Sequence, residues 1–251
     1  MMADVDRLDD GPDAPSVGSA YDSIAEDYDQ HLRRDRWMRR ALWLRFRALF
    51  GPGAHVLDVG CGTGIDAVHL ASRGVLVTAV DVSVGMTGHL RAKLAGAPFE
   101  RLVDVRTGSV VEVARSLAGP FDGIVSSFAA LNTVDLASFA VEAARLLRPG
   151  ARVVAHLLAR DHAAPLRQRL LGIARPTAGS ARVEIDIRGH RLAHRLGSAD
   201  ELFGAFLAGS FVERGSAWLS PLVGLVSAGR FHVVELERRS DSVGSPPAAP
   251  S

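Results

Sequence analysis

The sequence has one cysteine, Cys61, in 251 residues. That excludes an intrachain disulfide and leaves too few thiols for a cysteine-based metal cluster, which suits a reducing cytoplasm. An excess of one charge is also missing. Twenty-nine Lys and Arg against 28 Asp and Glu leave a net +1, which gives no electrostatic reason to expect a nucleic-acid or membrane partner. The longest apolar runs, 202–212 and 217–228, fall short of the roughly 20 residues that span a bilayer. The N-terminus is acidic and lacks the basic-then-apolar pattern of a secretory signal. No internal repeat is present. These absences describe a cytoplasmic protein with no bound metal, no nucleic acid and no membrane insertion. They leave its oligomeric state open.

What is present is apolar residue in quantity. At 47% hydrophobic the chain supports one substantial domain. Residues 1–18, rich in Asp, Gly, Pro and Ser, are expected to be a disordered lead, 19–238 the domain, and 239–251 a frayed tail. Within 19–50, Tyr21, Ile24 or Ala25, and Tyr28 recur at helical spacing. Asp35 can then cap a helix with Trp37, Ala41, Leu44 and Ala48 on its apolar stripe.

From residue 54 strands and helices alternate. Strands are expected at 54–59, 75–80, 102–106, 121–126 and 151–158. Ser83 caps a helix that buries Met86, Leu90 and Leu94. Asp135 begins another that buries Leu136, Phe139, Ala140, Ala143 and Leu147. Unbroken apolar strands between amphipathic helices imply a parallel sheet covered on both faces. Residues 182–188 instead alternate apolar and charged, and with Gly189 and 190–195 they read as a hairpin within a substrate-side insertion, 160–197. A helix from Ser198 to Ala208 and strands at 211–215 and 230–237 complete the pattern. The expected fold is α/β: a Rossmann-like, doubly wound, mostly parallel seven-stranded sheet with a helical N-terminal lid and an inserted β-hairpin.

The chemistry gathers at Val56-Leu57-Asp58-Val59-Gly60-Cys61-Gly62-Thr63-Gly64-Ile65-Asp66. An apolar strand runs into glycines at alternate positions, and a helix leaves them. Glycine allows positive φ and close approach of a ligand, and the helix start offers unpaired N–H groups. The Gly-x-Gly-x-Gly spacing differs from the Gly-x-Gly-x-x-Gly that seats a dinucleotide pyrophosphate. That counts against an NAD(P)-dependent oxidoreductase, the main rival reading. Asp81 ends the next strand, where a carboxylate can accept both hydroxyls of a ribose.

With these residues in view, 56–65 resembles motif I of class I S-adenosylmethionine-dependent methyltransferases. Asp81, within Val80-Asp81-Val82-Ser83, matches their ribose-binding acid, and Met86 matches the apolar residue beneath the adenine. Residues 121–127 resemble the fourth-strand motif, 146–150 the turn before the fifth strand, and 21–28 the segment that covers the cofactor in small-molecule members. The resemblance, from about Tyr21 to Leu158, implies a cofactor site made of Tyr21, Tyr28, Gly60, Cys61, Gly62, Asp81, Val82, Met86, Ser109, Val110 and Ser127. It implies S-adenosyl-L-methionine as cofactor, S-adenosyl-L-homocysteine as product, and methyl transfer to an O, N or C nucleophile of a small molecule in specialised metabolism. One departure is Ser109, which stands where the family usually has an acid facing the adenine amino group. A non-catalytic cofactor-binding module is a further alternative.

Such a displacement needs a general base only for a protonated hydroxyl or carbon acid. His162, past the fifth strand, and His31, past Tyr28, are the weak candidates. His156 lies inside a strand and reads as core. His190 and His194, in the hairpin, read as exposed. The Asn/Asp-Pro-Pro-Tyr motif of nucleic-acid-base and glutamine methyltransferases is missing, its place taken by Ser126-Ser127-Phe128-Ala129. Arg160, Arg167, Arg169 and Arg175 could meet an anionic acceptor, though a solvated face explains them as well.

Overall fold

The computed structural model describes residues 14–158, 181–187, 190–196, 199–219 and 231–240. In chain order these form α1 (Ala14–Asp22), α2 (Tyr28–His31), α3 (Arg36–Leu49), β1 (His55–Val59), α4 (Ile65–Ala71), β2 (Leu76–Asp81), α5 (Val84–Leu94), β3 (Val103–Thr107), α6 (Val110–Ser116), β4 (Phe121–Ser126), α7 (Leu136–Leu146) and β5 (Leu147–Leu158). There follow β6 (Ala181–Ile187), β7 (His190–Leu196), α8 (Ala199–Leu207), β8 (Phe211–Leu219) and β9 (Phe231–Arg238).

Seven strands make one sheet in the order β3-β2-β1-β4-β5-β9-β8. The first five are parallel, and β9 runs antiparallel to both β5 and β8. The strand order reverses between β1 and β4, and a crevice at that point is where open α/β sheets bind ligands. Alternation along the strands divides the core. Leu57, Ile124, Val153 and Ala155 pack towards α6, α7 and α8, whereas Val56, Val125 and Val154 pack towards α3, α4 and α5. Two of the expected caps are present, as Ser83 Oγ accepts from the Met86 N–H at 3.0 Å and Asp135 Oδ1 from the Ala137 N–H at 3.1 Å, whereas Asp35 stands at the start of α3 but makes no side-chain capping bond.

Several expectations are corrected. The lead is not structureless over 14–18, because α1 begins at Ala14 and buries Val17 and Ala20 against Leu192 of the hairpin. Residues 1–13 and 241–251 lie outside the described residues. The helical spacing through Tyr21 and Tyr28 is interrupted by a turn at 23–27, and the two rings meet edge to face with their centres 6.4 Å apart. The stripe of α3 is displaced as well. Met38, Arg39, Leu42 and Phe46 are buried, and Leu44 is 65% exposed. An arginine joins the inner face there because a buried carboxylate, Asp66, meets it. The hairpin forms its own two-stranded sheet, in which Ile187 pairs with His190. His194 is buried rather than exposed, with Nδ1 3.2 Å from the Leu192 carbonyl. No helix among the described residues is long and apolar enough to cross a membrane.

Candidate cofactor site

The glycine turn is built on left-handed backbone, with φ of 68° at Gly60, 54° at Gly62 and 78° at Gly64. The three have separate reasons to lack a side chain. A Cβ on Gly60 would lie 2.2 Å from Ala130 Cβ, and one on Gly64 would lie 2.1 Å from Leu90 Cδ1. Those two glycines serve packing. At Gly62 a Cβ would only touch the Tyr28 ring, at 3.5 Å, so what stands over this glycine is the N-terminal segment and not the sheet core.

Backbone bonds join the turn to β2. Gly60 and Cys61 N–H both donate to the Val80 carbonyl, at 2.8 and 3.0 Å. Asp81 receives the Gly62 N–H on Oδ2 at 2.8 Å and the Ser83 N–H on Oδ1 at 2.9 Å. Burial pushes the Asp81 carboxyl above the usual range, and these N–H donors oppose the shift. Gly108 N–H donates to the Asp81 carbonyl at 2.9 Å, which brings Ser109 and Val110 to the same edge. Met86 lies buried in the first turn of α5, and Val82 packs beside Tyr21. Burial, and then the Asp81 charge, raises the Cys61 thiol well above its normal value, so Cys61 stays a neutral filler.

The roof is the N-terminal segment. Asp22 Oδ1 accepts from Ser83 Oγ at 2.5 Å and from the Gly85 N–H at 2.7 Å, which ties α1 to the start of α5. Asp29 accepts from Thr63 Oγ1 at 2.5 Å and pairs with Lys93 Nζ at 2.6 Å. Burial works upward on Asp29, but the bonds from Lys93 and Thr63 hold its carboxyl below the usual range. Burial raises the phenols of Tyr21, to about 12, and of Tyr28, so both are neutral donors at any physiological pH.

Lys93 is the only lysine of the chain, so side-chain amine acylation reports on this latch alone. Asp29→Asn should speed Lys93 acylation, and Lys93→Met should accelerate release of bound S-adenosylhomocysteine about two- to fivefold, the value of a part-exposed ion pair. Unchanged acylation, followed by mass spectrometry, would show that the latch holds nothing.

Behind the turn lies a buried charge cluster that the sequence reading missed. Arg39 Nη1 meets Asp66 Oδ2 at 2.6 Å, with side-chain exposures of 10% and 5%. Trp43 Nε1 donates to Asp66 Oδ1 at 2.7 Å, and the Trp43 ring stacks on His69 at 3.9 Å. The Arg39 guanidinium also sits 4.5 Å from the Phe128 ring centre. Asp58 is 1% exposed, and its carboxyl is pushed well up by burial and by Asp66. Both acids stand in the quoted glycine motif, yet no role could be given them without knowing that α3 passes over it.

The mouth of the sheet carries strain. Phe128 and Ala129 hold φ of 54° and 67°, which for residues bearing a side chain costs about 1–2 kcal/mol each. His156, fully buried, fixes them: its Nδ1 accepts from the Phe128 N–H at 3.0 Å, and its carbonyl from the Ala129 N–H at 2.9 Å. Burial pushes the imidazole down to about 3. The unfolded chain therefore binds a proton near pH 6.5 that the native chain refuses, and stability falls with pH below that point, by about 2 kcal/mol at pH 5. The raised Asp58 carboxyl has the opposite slope. The comparison to make is therefore urea unfolding of wild type and His156→Asn at pH 7 and 5, where the variant should lose less. Equal losses would show that His156 is not neutral in the fold.

Tyr28, Arg39, Gly60, Gly62, Ser127 and Phe128 bound a cavity of about 20 Å³, room for a water and no more, so any cofactor entering here displaces the Tyr28 segment. The residues fit a nucleoside sulfonium carrying an amino-acid end. Among the described residues the buried Ser127 Oγ and Asp58 Oδ2 have no hydrogen-bond partner, and Gly62 places no side chain between the turn and the displaceable Tyr28 ring. Of the expected cofactor residues, Tyr28, Gly60, Cys61, Gly62 and Ser127 line this cavity, while Tyr21, Asp81, Val82, Met86, Ser109 and Val110 are not among its lining. His162, the side chains of His31 and His190, and the four arginines between 160 and 175 lie outside what the structure describes.

A doubly wound sheet with this strand order, a Gly-x-Gly-x-Gly turn and an acid ending β2 defines the class I methyltransferase architecture. Residues 56–150 match the methyltransferase domain family. Over that stretch the chain is similar to a methyltransferase domain, which counts against the NAD(P) oxidoreductase reading. Among curated relatives, demethylmenaquinone methyltransferase of Symbiobacterium thermophilum is 31% identical over 145 residues, covering 55% of this chain and 57% of that one. The enzyme of the same name from Mycobacterium marinum is 36% identical over 155 residues, covering 57% and 59%. The chain thus spans somewhat under three fifths of the length of these relatives. Two solved structures share the fold. The glycopeptide N-methyltransferase MtfA with S-adenosylmethionine has a TM-score of 0.58 at 20% identity, covering 78% of this chain and 86% of that one. The [4+2]-cyclase SpnF has a TM-score of 0.65 at 16% identity, covering 91% and 98%.

Proposed function

We propose that the protein transfers a methyl group from S-adenosyl-L-methionine to an O, N or C nucleophile of a small molecule. The observation that carries this is the bonding of Asp81 to the glycine turn, which presents a carboxylate and open backbone to one nucleoside. Bound there, the cofactor supplies an electrophilic sulfonium methyl. Asp81 accepts from the ribose hydroxyls, and Met86 and Val82 form the apolar floor and edge of the adenine. Ser109 Oγ and the Val110 N–H address its polar edge. Arg39 and Ser127 stand at the amino-acid end, as cation and hydroxyl for a carboxylate and an ammonium. Tyr21 and Tyr28 close over the turn and exclude water, so that alignment supplies the acceleration.

The curated relatives named above point to a ring-bearing acceptor of the demethylmenaquinone kind, and the glycopeptide enzyme points to an amine. The family match ends at residue 150, before the hairpin, and the hairpin is where selectivity for the acceptor is placed in this reading. Specialised metabolism fits that added segment.

A second reading has its own support. The cyclase shares the fold over most of the chain, so a cofactor-binding protein that methylates nothing is a real alternative. Calorimetry with S-adenosylmethionine, S-adenosylhomocysteine and NAD(H), followed by labelled-methyl transfer to a panel of quinols, phenols and amines, decides between them. Methyl transfer supports the proposal. Tight cofactor binding with no transfer across the panel favours the second reading, and binding of NAD(H) alone overturns both.

A further inference from the structure

A net charge of +1 conceals a segregated surface. Seven arginines and one carboxylate, Asp35, occupy residues 33–47. Arg36, Arg40, Leu44 and Arg47 fall four, four and three residues apart on α3, which puts them along one face. All four are exposed, and exposed Arg33 extends the line past the helix start. The opposite face, with Met38, Leu42 and Phe46, is buried against the sheet. Among the described residues no carboxylate pairs with Arg33, Arg36, Arg40 or Arg47, and the ion pair of α3 is the buried one from Arg39 to Asp66. Like charges one turn apart repel within a helix, so this face gains from an external anion. Beside it a cleft of about 400 Å³, lined by Leu32, Trp43 and Ile65 with Arg36, Arg39 and Arg40, adds apolar surface, and its one carboxylate, Asp29, is paired with Lys93.

We propose that the outer face of α3 docks on an anionic phospholipid surface. The face is convex and about 21 Å long for its 14 residues, which suits an extended partner surface. Guanidinium forks match phosphodiester oxygens in pairs. Leu44, 65% exposed in the middle of the arginine line, would lose its water contact at the same depth as the guanidiniums find phosphate, and a lipid headgroup layer offers both together. A single-stranded nucleic acid would instead use a free aromatic platform for its bases. Trp43 is not one, since its ring is stacked on His69 and its N–H is given to Asp66. Arg39 and Ile65 border both this cleft and the cavity of the glycine turn, so the docked face lies beside the cofactor site. Docking there would bring the site to acceptors dissolved in a membrane. The proposal stands on α3 alone and holds whether or not methyl is transferred.

The test is co-sedimentation of the full chain with vesicles of phosphatidylcholine, alone or mixed with phosphatidylglycerol. Binding is expected only with phosphatidylglycerol and should be lost in molar salt. The double variant Arg36→Gln/Arg40→Gln should lower the partition coefficient about 30-fold, at about 1 kcal/mol per arginine. Arg106→Gln, on the far side of the sheet, should leave it unchanged. If the first pair of substitutions lowers the melting temperature, Arg33→Gln/Arg47→Gln replaces it. Equal binding to neutral vesicles, no binding at low salt, or full retention by folded variants overturns the proposal. So does binding of single-stranded RNA in place of anionic vesicles.

Discussion

Arg39→Met should destabilise the protein by about 3–5 kcal/mol, because it strips the cation from a buried ion pair and leaves Asp66 facing Asp58. The Trp43 N–H remains on Asp66, but one neutral donor does not replace a guanidinium at 2.6 Å. The loss should deepen as pH rises. Arg39 opposes the burial that raises the Asp58 carboxyl, so without it Asp58 holds its proton still more tightly in the fold than in the unfolded chain, and stability declines above the ordinary carboxylate range of about pH 4. The double variant Arg39→Met/Asp66→Leu should recover most of it, since removing both partners of a buried pair is often close to neutral. Urea unfolding at pH 5.5 and 8 measures all three proteins. A single-variant loss below about 1 kcal/mol, the level of an exposed pair, would mean that the pair is not buried in solution.

Asp81→Ala should weaken S-adenosylmethionine binding at least about 100-fold, because two charge-assisted bonds to ribose, about 1.5–3 kcal/mol each, disappear together. Stability should fall by less, about 1–3 kcal/mol, as the Gly62 and Ser83 N–H groups lose their acceptor. Asp81→Asn sharpens the interpretation. It keeps an oxygen for Ser83 but turns an NH₂ towards the Gly62 N–H, so affinity should fall nearly as far while the fold is better preserved. Calorimetry giving affinities within threefold of wild type would remove Asp81 from the ribose.

The sheet and the glycine turn were legible because each rests on local pattern. β4 was expected at the residues it occupies, Phe121–Ser126, since a buried parallel strand reads as an apolar run. The buried faces of α5 and α7 followed from their 3.6-residue spacing and their Ser83 and Asp135 caps, except at the end of α7, where Leu146 is the buried residue and the expected Leu147 instead opens β5. The α3 face was not legible, because the pairing that lets Arg39 turn inward comes from a residue 27 positions away. Hydrophobic spacing alone favoured Leu44, which is exposed. The latch from Asp29 to Lys93 and the burial of His194 are likewise non-local. A bulk charge balance reported neutrality where α3 concentrates one sign on one face, since an average carries no position.

The placement of β9 bears on how the chain is made. This strand lies between β5 and β8, yet it is the last of the seven to leave the ribosome. Until Phe231–Arg238 emerges, β5 has no neighbour on that side and β8 has none at all. The nascent protein therefore carries an open sheet edge rich in Val153, Val154 and Ala155 for the whole interval, an edge that invites pairing with another chain. A chain cut before residue 231 should be a substrate for chaperones or aggregation rather than a smaller cofactor-binding unit, even though every residue of the glycine turn would be intact.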